Sequence, residues 1–533
     1  MKQYIYPALA LALSTIALTG CDDFLDTMPD NRTSLDSEDN IKSLLISAYP
    51  TAEFSLIAEL SSDNCDDSGP NNPNSERYYE DAFLWKDEIE DFTGSLADYW
   101  EGAYLAIGAA NEALQAIEKR GGPVTPNLQE LYGEAMLCRA YNHFMLAQLF
   151  CMPWTQDAAK NLGLPYNTEP ETTLHPHYER GNLADFYTNI EADLNEGLKY
   201  VGDSHLDVPK YHFNTKAAYA FASRFYLTIE EWQKAADMAT RCLGSQPIAM
   251  LRDYTTQSLL QVDGNNGIYN EPQAVEYIRI TNACNLMLTA VSSRIGLVFN
   301  RAYAGARFNH NSYIANNETF LASQPYGNVR RIYGSYQGTN MNKVLMRKVL
   351  ATFEYTDIVA QIGYTHSVVP TFTADETLLG RAEAYIMLRE FDKAAADLTL
   401  WAQNFTTDCP VLTPQNLTDF YNQATYCYSE ESGEGLESGL KKHLNPAFAI
   451  DAEGSTQECM LQCVLAFHRI ETLHFGNRWF DIKRYGIEIP RRVLNSAGRP
   501  VAKVGTVLTK DDLRRAFQIP LLVRDAGMQA NPR

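Results

Sequence analysis

Ser223-Arg224-Phe225-Tyr226-Leu227-Thr228-Ile229-Glu230-Glu231-Trp232-Gln233-Lys234-Ala235 and, far downstream, Ala382-Glu383-Ala384-Tyr385-Ile386-Met387-Leu388-Arg389-Glu390-Phe391-Asp392-Lys393-Ala394 follow one pattern. A small residue, two aromatics and an alanine stand at Ser223, Tyr226, Trp232 and Ala235, and again at Ala382, Tyr385, Phe391 and Ala394, in both cases 3, 6 and 3 residues apart. That spacing predicts a helix, a tight turn and a second helix packed back on the first. The small residue on the first helix lets the second approach, the aromatic fills the gap, and the alanine packs into it. A mainly α-helical scaffold follows.

Ala239, Cys242 and Pro247 extend the first copy at positions where tetratricopeptide (TPR) repeats place small residues and a terminal proline. A looser third copy runs from Leu131 to Phe150, its partner Phe186–Tyr200 displaced by a proline-bearing loop from Met152 to Asn182. The units are not back to back. Residues 252–373, rich in Tyr, Asn, Gly and Arg, separate the two best copies, and a long aromatic segment of this kind predicts a loop-rich functional elaboration. Trp100, Tyr104, Ile107, Asn111, Leu114 and Ile117 mark a further amphipathic helix. Asn111 lies on its apolar stripe, so its amide is expected to tie this helix to neighbouring backbone. A first helix is expected near Asp39–Tyr49, and Ser61 to Ser75, full of Asn, Asp and Pro, reads as loop.

The chain has 533 residues, 45% of them hydrophobic, and 44 basic against 66 acidic side chains, a net charge of −22. A surface this acidic repels phosphate backbones and anionic lipid, which argues against nucleic-acid binding and electrostatic membrane docking. Lys2, an apolar run from Tyr4 to Thr19, and Leu18-Thr19-Gly20-Cys21 read as a secretory signal, residues 1–20, too short for a membrane span. The Leu-Thr-Gly-Cys ending resembles a bacterial lipobox. It implies lipidation of Cys21 and attachment to the membrane through that anchor alone. Residues 22–50 then form a tether and first helix, and 21–533 read as one domain. The nine remaining cysteines show no CxxC pair, and Cys138, Cys242 and Cys463 fall within helical patterns as buried thiols.

His468-Arg469-Ile470-Glu471-Thr472-Leu473-His474-Phe475-Gly476-Asn477-Arg478-Trp479-Phe480-Asp481-Ile482-Lys483-Arg484-Tyr485-Gly486 resembles the SusD/RagB signature, with Gly476 one place early and Tyr485 for the second Trp. Gln518-Ile519-Pro520 through Asn531-Pro532-Arg533 looks like the family's closing segment. Glu134-Ala135 with Arg139-Ala140-Tyr141 resembles its first repeat helix, and Ile190–Leu194 that helix's partner. Acidic Asp22, Asp23 and Asp26 resemble the surface-export signal of Bacteroidetes lipoproteins. The resemblance implies a SusD-like, TPR-like helical fold and a cell-surface, outer-membrane location. It also implies a loop-built face for glycan or peptide and a SusC-like TonB-dependent transporter as partner. The signature itself reads as structural. Asp481 is placed to sit between Arg478 and Arg484, Trp479 and Phe480 face the core, and Gly486 caps the end.

No nucleophile elbow, HExxH, P-loop or dinucleotide fingerprint occurs. His175 and His177 lack further ligands and read as a solvated pair, so neither a cofactor nor catalysis is expected. Sugar rings stack their C–H faces on aromatics and bond their hydroxyls to amides, carboxylates and guanidinium groups. Two segments offer both kinds of group: residues 66–85, with Arg77, Tyr78 and Trp85, and residues 300–336, with Tyr303, Arg307, Tyr313 and Tyr326. These seven are the candidate ligand-binding residues. A glycan-binding, non-enzymatic lipoprotein is the resulting expectation, with a surface hydrolase and a peptide-binding lid as alternatives.

Overall fold

The structure, a computed structural model, describes residues 35–533 except 73, 88–90, 172–177, 262–270, 302, 339–340, 428–438, 497 and 504–506. The secretory segment, Cys21, residues 22–34 of the tether, and the His175/His177 pair lie outside the described residues.

Helices dominate. They are α1 (Glu38–Leu45), α2 (Ser55–Ser61), α3 (Arg77–Phe83), α4 (Leu96–Lys119), α5 (Pro126–Phe150), α6 (Leu183–Tyr200), α7 (Thr215–Thr228), α8 (Trp232–Leu243), α9 (Ala374–Met387), α10 (Phe391–Phe405), α11 (Thr456–Glu471) and α12 (Arg478–Arg484), with a further helix at Pro414–Gln423 and shorter helices and turns between. Their starts follow local chemistry. Ser37, Ser95, Thr125, Asn182, Asn214, Thr373 and Ser455 each accept a hydrogen bond from an amide of the first helical turn.

The repeat pattern becomes the pairs α7–α8 and α9–α10. Glu230 and Arg389 occupy the same place in the two turns, both in the left-handed region at φ 65° and 62°. In each, the next amide (Glu231, Glu390) donates to the carbonyl of the pattern's first aromatic (Tyr226, Tyr385) at 2.9 and 2.8 Å. Ser223 Oγ donates to the Ala235 carbonyl at 3.0 Å, so its small side chain marks where the helices touch. Ala235 and Ala394 are wholly buried. The looser copy is α5–α6. There a Cβ on Gly197 would meet Leu137 Cγ at 2.7 Å, so only glycine permits the approach. Arg139 and Arg381 bind Asp193 and Asp397 through paired hydrogen bonds of 2.6–2.8 Å, buried ties between the two helices of a unit. Asn111 donates to the carbonyls of Asn167 and Glu169 at 3.1 and 3.2 Å, the backbone tie its place on the stripe implied.

Residues 252–373 depart from the expected loop system. β2 (Asn285–Ser292), β8 (Ile362–Thr373) and β7 (Thr352–Asp357) form an antiparallel sheet in the order β2-β8-β7, and β5 (Tyr333–Gly338) pairs with β6 (Met341–Met346). Short strands β4 (Asn328–Val329) and β9 (Thr406–Thr407) pair with each other. A last sheet runs β11 (Pro500–Lys503), β10 (Arg492–Leu494), β1 (Asp66–Asp67), β3 (Phe308–Asn309). Leu286 and Met287 of β2 and Phe372 of β8 are buried in the hydrophobic core.

The signature is structural. Arg478 grips Asp63 at 2.8 and 2.9 Å, Arg484 reaches Glu383 at 2.6 Å, and Arg469 binds the Asp63 carbonyl, Asn64 and Glu318. Asp481 departs from the expectation: its hydrogen-bond partner is His468 at 2.7 Å, because each arginine is taken by a carboxylate elsewhere in the chain. In the tail, Asn531 donates to the carbonyls of Phe150 and Phe517, which pins the C-terminus to the end of α5. The nine cysteines after Cys21 are free thiols, eight buried and Cys409 partly so. Among the described residues, no helix is long and apolar enough to cross a membrane.

Candidate ligand-binding surface

The two segments singled out above meet in space. β1 pairs antiparallel with β3, Asp66 opposite Asn309 and Asp67 opposite Phe308. The Ser68 amide donates to the Arg307 carbonyl at 2.7 Å, and the Ala306 amide to the Asn74 carbonyl at 2.8 Å. Arg307 closes the junction with Nε and Nη2 at 3.0 and 2.9 Å from the two Asp67 oxygens, its guanidinium also 4.6 Å from the Phe308 ring. Asp67 holds the Arg307 pKa above the usual guanidinium value. Gly305 turns at φ 57°, where a Cβ would strike Val298 Cγ1 at 2.8 Å.

Beneath this segment sits Lys343. Its buried ammonium donates to the carbonyls of Val298, Arg301 and Ala304. Burial pulls its pKa down to about 7, while the three carbonyls replace the water that the protonated form would otherwise keep. The chain bearing Tyr303 is therefore held from below, and Tyr303 itself stands 66% exposed.

From the other segment come Arg77 and Tyr78, at the start of α3 rather than in the expected loop. Arg77 is exposed, 3.7 Å from Asp81. Tyr78 is half-buried, its hydroxyl accepting from Arg294 at 2.7 Å and its ring 4.0 Å from Phe92. Glu76 and Glu80 lie beside Arg294 and Arg307 at 3.4 and 3.7 Å. The junction thus carries the exposed Tyr303 ring on one segment and Arg77, Glu76 and Glu80 on the other, with Arg307 between Asp67 and Glu80, groups of the kinds that bind a polyhydroxylated ligand with apolar C–H faces. Arg294, Glu76, Glu80 and Lys343 carry no local sequence signal. They become visible only once the 240-residue separation between Asp67 and Arg307 is closed.

The remaining candidates are placed otherwise. Trp85 is not an exposed ring. It is 5% exposed, its indole donates to the Ser61 carbonyl at 2.9 Å, and Arg491 and Arg514 lie over it at 4.1 and 5.5 Å. Tyr326 packs against Phe467, Phe405 and Trp401 of the helical core. Tyr313 is half-buried, 5.2 Å from the Arg492 guanidinium, which binds Asp66 and Glu318. Between the end of α2 and the short β1 the Ser61–Asp67 stretch is loop as expected, yet it is buried, because Arg469, Arg478, Arg491 and Arg492 supply its polar groups with partners.

Residues 23–227 match the family described as SusD-like, starch-binding associating with outer membrane. The structure resembles that of a SusD superfamily protein from Bacteroides vulgatus ATCC 8482, with 17% identity, TM-score 0.60, and 94% of this chain and 99% of that chain covered. A protein from the same organism described as a putative sugar-binding protein aligns with 16% identity, TM-score 0.59 and 94% and 99% coverage. A laminarin-binding SusD-like protein aligns with 16% identity, TM-score 0.50 and 93% and 99% coverage. No curated protein matches the chain. The architecture is that of the SusD-like helical class. Residues 23–227 match the SusD-like family, and the fold over the rest of the described chain is the one that these SusD superfamily structures share.

Proposed function

We propose that this protein is a cell-surface lipoprotein, anchored through Cys21, that captures a carbohydrate and passes it to a SusC-like TonB-dependent transporter. The observation that supports the binding reading is the junction of residues 66–81 with residues 298–309, where Arg307 lies between Asp67 and Glu80 in the same segment as the exposed Tyr303. The laminarin-binding relative and the family's starch-binding description support carbohydrate as the ligand class.

Calorimetry against a panel of oligosaccharides, laminarin fragments among them, tests it. One glycan class is expected to bind with no new reducing ends formed, and Tyr303→Ala is expected to lose about 1–3 kcal/mol of affinity, by analogy with base–aromatic stacking. Trp85→Ala, by contrast, is expected to lower the melting temperature, since its ring is core. Unchanged affinity in both Tyr303→Ala and Arg307→Ala would move the site elsewhere on the protein. Release of reducing ends would favour the hydrolase reading.

A further inference from the structure

The outer half of the β7–β8 hairpin carries an apolar surface that no other described part of the fold covers. β8 pairs with β2 only from His366 to Thr373, so residues 352–365 form a two-stranded ribbon standing clear of the sheet. β7 pairs with β8 alone and every residue of it is exposed, which leaves its outer edge unpaired among the described residues. Six of the nineteen large hydrophobic side chains exposed among the described residues lie here: Phe353, Tyr355, Ile358, Val359, Ile362 and Tyr364. Val359 is 95% exposed. Apolar groups gathered this way on a water-soluble surface mark a contact with another molecule.

The hairpin is braced by its own bonds and ring contacts. Asp357 Oδ1 accepts from the amides of Val359 and Ala360 at 2.8 and 2.9 Å, and Gln361 turns the chain at φ 57°. Phe353 and Tyr355 meet edge to face at 4.9 Å, and Tyr364 donates to Glu354 at 3.1 Å. Its charge is one-sided. No Lys or Arg occurs between Lys348 and Arg381, and the ribbon's own charged groups are Glu354 and Asp357, with His366 3.6 Å from Glu354.

We propose that this hairpin is a docking arm for a protein partner. The partner lays an extended, Lys- or Arg-bearing segment along the free edge of β7 and buries Ile358 and Val359. An open strand edge offers a row of amides and carbonyls for such an added strand. Glu354 and Asp357 select basic side chains. A second copy of this chain would set those acids against their own kind, on molecules of net charge −22 each, and an anionic lipid face would be repelled likewise. The inference rests on the proposed hand-off, in which the transporter supplies the segment.

The test uses the full-length lipoprotein in its native outer membrane, with a photo-cross-linking benzoylphenylalanine at Val359 and, separately, the double variant Ile358→Asp/Val359→Asp. The cross-link is expected on an extended, basic segment of the transporter. The double variant is expected to retain about a tenth of the co-purified transporter while its melting temperature and oligosaccharide binding stay at wild-type values. Retention of the transporter by the double variant would overturn the arm, as would cross-links only to lipid or to a second copy. If the wild type brings down no transporter, the hand-off reading fails. The arm then stands only if Val359 cross-links to a basic segment of another protein, and falls if it does not.

Discussion

Replacing Arg307 by alanine removes both prongs of the fork that ties residues 298–309 to Asp67, 3.0 and 2.9 Å long. Asp67 is only 3% exposed in its side chain, and the contact it keeps is the Gly69 amide at 2.9 Å. Breaking a fully buried ion pair costs about 3–5 kcal/mol, because the surviving charge is left in a poor solvent. The Arg307 side chain is 25% exposed, so water already screens part of the attraction, and the expected cost falls to about 2–3 kcal/mol. The loss should be local, since the pair sits on a two-residue strand rather than in the helical core. Hydrogen exchange at the Ser68 and Ala306 amides, both bonded across the junction, reads it directly. At about 1.4 kcal/mol per tenfold, exchange should quicken by roughly thirtyfold to a hundredfold. A double-mutant cycle with Asp67→Asn should return a coupling of about 1.5–3 kcal/mol. The reasoning fails if exchange at both amides stays within about threefold of wild type, the range expected for exposed Arg77→Ala.

Ala235→Leu and Ala394→Leu should each overpack a helix pair at a cost of about 1–3 kcal/mol, lowering the melting temperature of a chain this long by about 1–3 °C; unchanged melts for both would mean the two turns do not hold tightly packed pairs. Burial alone would depress the His468 imidazole, yet Asp481 at 2.7 Å and Glu376 at 3.7 Å raise its pKa to about 10. The unfolded value lies near 6.5, so this stabilisation is whole below about pH 6.5 and is lost as the pH climbs towards 10. Melting temperature should therefore fall between pH 7 and 10, and fall less in His468→Gln. Parallel curves for the two proteins would refute the pairing.

The helix pairs were legible because their causes are local. The spacing of Tyr226, Trp232 and Ala235 and the stripe that carries Asn111 act within a few turns of chain. The two segments proposed for carbohydrate were picked out by composition, and they meet where β1 pairs with β3. Their inventory was not legible. Trp85 and Tyr326 have the same sequence character as Tyr303, yet Arg491 and Arg514 cover the first and the α10–α11 rings take in the second. The strands of residues 285–292 and 362–373 were missed because neither carries a regular two-residue alternation of burial, and because β2 gains its partner only across the intervening chain. The Asp-rich stretch at 63–67 shows the limit most clearly. Read locally it belongs in water, since a carboxylate is costly to bury alone. It is buried because Arg469, Arg478 and Arg492 arrive from the far end of the chain, and Arg307 from its middle, to neutralise it. Periodicity and capping, which depend on neighbours in sequence, determine the helices. The burial of charge and the exposure of a ring depend on neighbours in space, and only the tertiary structure decides those.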